Sequence, residues 1–230
     1  MAGRKNQTHA IDSMGAKSWM IAYVEKGTKP EEVFASQPAL DREASEKLAR
    51  ELFPRLQLIA DVDGDLSRTC PRGSRVLVGC YPGVSVVASS KLMMDAPSQL
   101  PARYLSAARG RDVYYHVMWS TVDWFAYAIW SDGKLIRSLD LSSDTKVTED
   151  IGEHLPFEAP YWNGQRPIAP EDDSYPLPFH PLDLGETVLF NLFGYYRDGG
   201  WDEDDSRGPL FDPKSIVLAG FKGKPWWKIW

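Results

Sequence analysis

The longest patterned stretch of the chain runs from Val113 to Leu141, VYYHVMWSTVDWFAYAIWSDGKLIRSLDL, where aromatic and β-branched residues crowd two segments around a polar break. Ser131-Asp132-Gly133-Lys134 interrupts the pattern, and an Asp-Gly pair between such segments predicts a hairpin because both turn positions need positive φ. Val122 to Trp130 is thus expected to pair antiparallel with Leu135 to Leu141. Val113 to Met118, separated by only a few residues, adds a third strand to make a meander. Trp124, Ala126, Ala128 and Trp130 fall on one face of the middle strand, and Asp123, Phe125, Tyr127 and Ile129 on the other. Neither set is polar throughout, so both faces of this sheet require cover.

Other elements follow from the same reading. Trp19 to Val24 reads as a buried strand, ended by Gly27-Thr28-Lys29-Pro30, with a short helix from Pro30 to about Ser36. Asp41 is placed as an N-cap, and Ala44, Leu48 and Leu52 recur on one face of a helix that Pro54 stops. Leu56 to Ala60 is a strand candidate and Asp61 to Asp65 a turn by composition. Val76 to Val78 and Val84 to Ala88 give two short strands, and Ser98 to Arg109 a helix ending at Gly110. Between Asp150 and Pro181 seven prolines interleave with Phe157, Tyr161, Trp162, Tyr175 and Phe179, a composition that forbids helix and central strand alike. An ordered, irregular lid is expected there. Asp183 and Glu186 read as a capping box for a helix ending at Gly194, and Ile216 to Phe221 as a last strand or an apolar tail segment. The fold expected is α+β: a mostly antiparallel sheet of about six strands, helices on one face and the Pro/aromatic-rich lid on the other.

Composition narrows the function classes. With 230 residues, 43% hydrophobic and 12% aromatic, the chain has material for a sizeable core, and a net charge of −6 disfavours nucleic acid or anionic lipid as the main partner. Cys70 and Cys80 read as reduced thiols rather than a disulfide framework. No apolar run approaches the roughly 20 residues of a membrane span, and the N-terminus lacks an apolar secretion segment, so a cytoplasmic protein is expected. Domain boundaries are placed at 1–13 for a flexible extension, 14–196 for a single α+β domain, and 197–230 for an acidic linker and a Trp/Lys-rich tail. The tail, with Lys222, Lys224 and Lys228 among Trp226, Trp227 and Trp230, is read as folding back or staying mobile in preference to binding a membrane or nucleic acid.

Several strings resemble an uncharacterised actinobacterial family carried as a domain of unknown function. They are Met14-Gly-Ala-Lys-Ser-Trp19, Pro38-Ala-Leu-Asp41, Tyr81-Pro-Gly-Val84, Leu100-Pro-Ala-Arg103, Val122-Asp-Trp-Phe-Ala-Tyr-Ala128, Glu149-Asp-Ile-Gly-Glu153, Leu155-Pro-Phe-Glu-Ala-Pro-Tyr-Trp162 and Pro176-Leu-Pro-Phe-His-Pro-Leu182. The resemblance covers about Met14 to Tyr196. It implies an intact module starting at Met14 and carries no catalytic residues with it.

No motif of high catalytic specificity is present. His116, Asp123, Glu158 and His180 form the best set for general acid-base chemistry, which needs a histidine oriented by a carboxylate. A structural role for His116, mid-strand among aromatics, is the more usual outcome. No metal site is expected: neither H-E-x-x-H nor Cys-x-x-Cys spacing occurs, and Asp61-Val-Asp-Gly-Asp-Leu-Ser67 departs from a calcium loop in its glycine and at position twelve, where Arg72 stands. Ser143-Asp-Thr-Lys146 matches S-x-x-K without companion motifs. No phosphate-cradling glycine loop and no cofactor are indicated. Trp119, Tyr127 and Trp162 are the candidates for binding a ligand or partner, weighed against core filling. Two functions are carried forward: a non-catalytic binding or interaction module for an unknown protein or small-molecule partner, and, second, a hydrolase-like enzyme using His116 or His180 with Asp123 or Glu158. The sequence sets no oligomeric state.

Overall fold

A computed structural model describes residues 17–168, 174–197 and 208–224. The expected extension at 1–13, the acidic run from Asp198 to Asp205 and tail residues 225–230 lie outside the described residues. One nine-stranded sheet is built from β1 (Lys17–Val24), β2 (Leu58–Asp65), β3 (Arg75–Tyr81), β4 (Val84–Ser89), β5 (Asp112–Trp119), β6 (Trp124–Ser131), β7 (Lys134–Ser142), β8 (Lys146–Ile151) and β9 (Val217–Gly223). The spatial order is β2-β9-β3-β4-β1-β5-β6-β7-β8, and every neighbouring pair is antiparallel. The meander β5-β6-β7 forms as its sequence predicts, with Asp132 and Gly133 both at positive φ in the tight turn.

Nine strands replace the expected six or so. β8 has no counterpart among the strands read from the sequence, β2 runs longer than its candidate, and Ile216 to Phe221 takes its strand alternative as β9. Asp61 to Asp65 continues β2 instead of turning, because Lys222, Arg75 and Arg42 neutralise Asp61 and Asp63 along an exposed edge. β8 is the polar KVTEDI, with little burial to mark it, and β9 is an interior strand between β2 and β3.

Helices α1 (Pro30–Ala35), α2 (Arg42–Leu52), α3 (Ala102–Ser106), α4 (Ala159–Trp162) and α5 (Pro181–Phe193) cover both faces, which corrects the expected arrangement of helices on one side and lid on the other. Met20, Ala22, Met118, Phe125, Tyr127, Leu139 and Leu141 pack under Phe34 of α1, Leu184, Val188, Leu189 and Phe193 of α5, and Tyr161, Leu177 and Phe179 of the proline-aromatic segment. That segment and α5 therefore share a face. Ile21, Tyr23, Val113, Tyr115, Val117, Trp124, Ala126, Ala128 and Trp130 pack on the opposite side under Leu48, Ala49 and Leu52 of α2 and Tyr104 of α3. A sheet apolar on both faces must be layered on both.

Local chemistry sets the helix ends. The Asp41 carboxylate accepts the Ala44 N–H at 2.9 Å, opening α2 as its sequence indicates. The expected helix from Ser98 shrinks to α3, since Pro101 lacks an N–H and holds Leu100 extended. α5 starts at Pro181, two residues before the expected Asp183 box, and His180 is its cap. Proline suits the first helical position and fixes the residue before it as extended, so this pair outcompetes the box.

Candidate functional site

The four candidates for acid-base chemistry are distributed among three settings. His116 on β5 is fully buried, and its Nε2–H donates to the Gly185 carbonyl at 3.0 Å. Gly185 permits that approach, because a Cβ there would stand 2.9 Å from Met118 Sδ and 3.0 Å from Phe125. Burial pushes the His116 imidazole down to about 4. The folded protein thus binds fewer protons than the unfolded chain between about pH 6.5 and 4. Stability from keeping this histidine neutral is complete above the upper limit and is lost as pH falls through the window, to a total of about 3 kcal/mol. His116→Phe is expected to flatten the fall in denaturation midpoint between pH 7 and 4.5; an unchanged slope would show that other groups set it.

Glu158 is also fully buried, in the lid. Arg137, itself unexposed, grips it with two bonds, Nε to Oε1 at 2.9 Å and Nη2 to Oε2 at 2.8 Å. Tyr127 O–H, Leu155 N–H and Trp162 Nε1–H also donate to the carboxylate. Burial alone would raise the Glu158 carboxyl, but Arg137, Tyr127 and Leu155 together hold it below its usual value. Arg137 reaches this position through a bulge. Register shifts between Ile129 and Trp130, so Ile136 is extruded and 46% exposed while Arg137 turns inward. Its Nη1 binds Asp150 of β8 and the Ile151 carbonyl. Gly152, at φ +86°, closes over the bulge where a Cβ would lie 2.1 Å from Ile136 O. With its lone pairs occupied by five donors, this carboxylate serves as a clamp between sheet and lid.

His180 and Asp123 come together. Nε2 stands 3.6 Å from Oδ1 of Asp123, both side chains about one-third exposed. Tyr175 stacks on the imidazole at 5.8 Å and donates to Asp123 Oδ2 at 3.3 Å. His180 Nδ1 accepts the Leu182 N–H that opens α5, at 3.2 Å, so the ring proton resides on Nε2, facing Asp123. Both nitrogens are committed, which leaves no lone pair to act as a general base in this geometry.

The aromatic candidates separate by face. Tyr127 is fully buried and Trp162 half-buried against the same side of the sheet, both bonded to Glu158. Trp119 lies on the opposite side and lines a cleft of about 550 Å³. The 3-10 turn and loop after β4 supply Met93, Met94, Asp95 and Ala96; the β5-β6 turn supplies Val122. Trp124, Asp140, Ser142 and Thr148 come from β6, β7 and β8, and Asp144 from the turn between β7 and β8. Asp140 is 2% exposed, accepting Trp124 Nε1–H at 2.8 Å and Ala96 N–H at 2.9 Å. Burial raises its carboxyl above the usual value despite these two donors. Trp119 Nε1 is buried and meets no hydrogen-bond partner among the described residues. Sequence reasoning passed over this cleft, although Ser138, Asp140 and Ser142 alternate within LIRSLDLS and mark a polar row on an otherwise apolar face.

Among the described residues no group of three or more His, Cys, Asp or Glu side chains is placed to hold a metal ion, and no helix is long and apolar enough to cross a membrane. No curated protein matches the chain, and no solved structure matches it. The model of one family does match, over residues 18–221, from the second residue of β1 into β9, so the chain belongs to DUF6928, a family of unknown function.

Proposed function

We propose that the protein is a non-catalytic binding module whose ligand occupies the cleft between the Met93–Ala96 loop and strands β5 to β8. The observation that carries this reading is the composition of that cleft: two indoles, two thioethers and a buried carboxylate around one concavity. Ligand sites combine a mostly apolar wall with a few fixed polar groups in this way. Trp119 and Trp124 belong to the reading, whereas Tyr127 and Trp162 fit a role in holding the lid. A bacterial, cytoplasmic setting is part of the proposal and rests on the sequence strings and cysteine content described above.

The hydrolase-like alternative is favoured by one observation, the 3.6 Å approach of His180 to Asp123. The capping bond at Nδ1 counts against it, as no nitrogen remains to activate a nucleophile. Indole Nε1–H resonances of the 15N-labelled protein, followed during titration with neutral, cationic and anionic small molecules, separate the readings. We expect at least one class to shift the Trp119 and Trp124 signals, and Trp119→Leu to abolish the response. Silence from all classes, together with ester hydrolysis that His180→Ala removes, would replace the binding reading with the enzymatic one.

A further inference from the structure

The charged side chains that line the cleft are acidic. Among the described residues its lining contains Asp95, Asp140 and Asp144 and no lysine, arginine or histidine. Asp140 lies at the buried end beside Trp124, while Asp95 and Asp144 are exposed at the rim. At Asp140 the Trp124 and Ala96 donors, with the Thr148 hydroxyl beside them, fill part of the capacity of two oxygens bearing about four lone pairs. Indole faces attract cations through their quadrupole. Trp119 already serves in that way, with Lys17 Nζ 5.6 Å from its ring centroid. Polarizable thioethers at Met93 and Met94 suit the apolar body of a ligand of variable shape. The three carboxylates do not converge as ligands of a metal ion.

Resting on the binding reading above, we propose that the cleft recognises a small organic cation, an amine or quaternary ammonium with an apolar body. The charge lies among Asp140, Asp95 and Asp144, and the body packs on Trp119, Trp124 and the methionines. Burial of Asp140 gives the cation its leverage, because a carboxylate withdrawn from water gains most from an opposite charge brought beside it.

The test compares choline with 3,3-dimethylbutan-1-ol, its uncharged carbon isostere, and with 3,3-dimethylbutanoate as an anion, by calorimetry and by the Trp119 and Trp124 indole signals of the full chain. Choline is expected to bind at least tenfold more tightly than the neutral isostere, with the anion undetected. Asp140→Asn should abolish the preference, but it also disturbs the Ala96 and Trp124 bonds. The double variant Asp95→Asn/Asp144→Asn, confined to the exposed rim, keeps the question open to measurement and is expected to weaken choline binding about fivefold without moving the denaturation midpoint. Equal binding of choline and the isostere, or an unaltered affinity in the rim variant, would overturn the cation assignment while leaving a ligand in the cleft. Failure of all three probes to move either indole signal would overturn the assignment and count against the binding reading as well.

Discussion

Glu158→Ala is expected to destabilise the protein by about 3–5 kcal/mol, because it leaves the fully buried Arg137 guanidinium without its principal counter-ion. For a domain of this size that corresponds to a fall in melting temperature of roughly 10 °C. Asp150 retains one bond to Nη1 but is itself half-exposed, and it cannot replace a bidentate partner. Tyr127 O–H, Leu155 N–H and Trp162 Nε1–H lose their shared acceptor at the same time, which adds to the effect. Arg137→Met combined with Glu158→Leu should recover most of the lost stability, since an apolar pair needs no compensation in a dry site. The depressed Glu158 carboxyl also fixes a pH dependence: its contribution is present above about pH 4.3 and is lost as pH falls through the lower folded value. A midpoint for Glu158→Ala within about 1 kcal/mol of the parent would show that the clamp contributes little.

Trp124→Ala is expected to cost a further distinct amount, about 3–5 kcal/mol, from loss of an indole that is 8% exposed at the floor of the cleft, within the core of that face of the sheet. Its cause divides into packing and hydrogen bonding. Trp124→Phe retains much of the volume and removes only the donor to Asp140, so it should cost about 1–3 kcal/mol. Guanidinium titrations of the two variants decide the split. If both midpoints match the parent, Trp124 does not support the sheet, and the cleft floor would have to be reassigned.

Much of the central sheet was legible because its signals are local. Asp132-Gly133 determines a turn whatever surrounds it, and alternation along β6 sorts Trp124 from Phe125 onto opposite faces. Proline chemistry at Pro101 and Pro181 was equally local, yet its weight against a longer helix or a later cap depends on competition that sequence spacing alone does not rank. The edge strands were illegible for a different reason. Asp61, Asp63 and the polar β8 resemble turn sequences until Arg42, Arg75 and Lys222, distant in the chain, arrive beside them. The site suffered most. Asp140 and Arg137 sit in one apolar run, and which face each occupies depends on the bulge at Ile136, a one-residue insertion with no marker in composition.

The place of β9 has a consequence for how the chain is made. β2 and β3 leave the ribosome well before the strand that joins them, which follows some 150 residues after β2. Until then β3 exposes an open edge, and β2 has no strand to pair with, since its pairing in the finished sheet is with β9. Pairing of such sequence-distant strands is slow because loop closure precedes any reward. Chains ending before Val217 would therefore present two unsatisfied strand edges, the templates on which intermolecular pairing begins. Quality control of this protein thus turns on β9: a nascent chain is vulnerable until residue 223 is clear of the exit tunnel, and proteolysis that detaches β9 would convert a finished sheet into an aggregation-prone one.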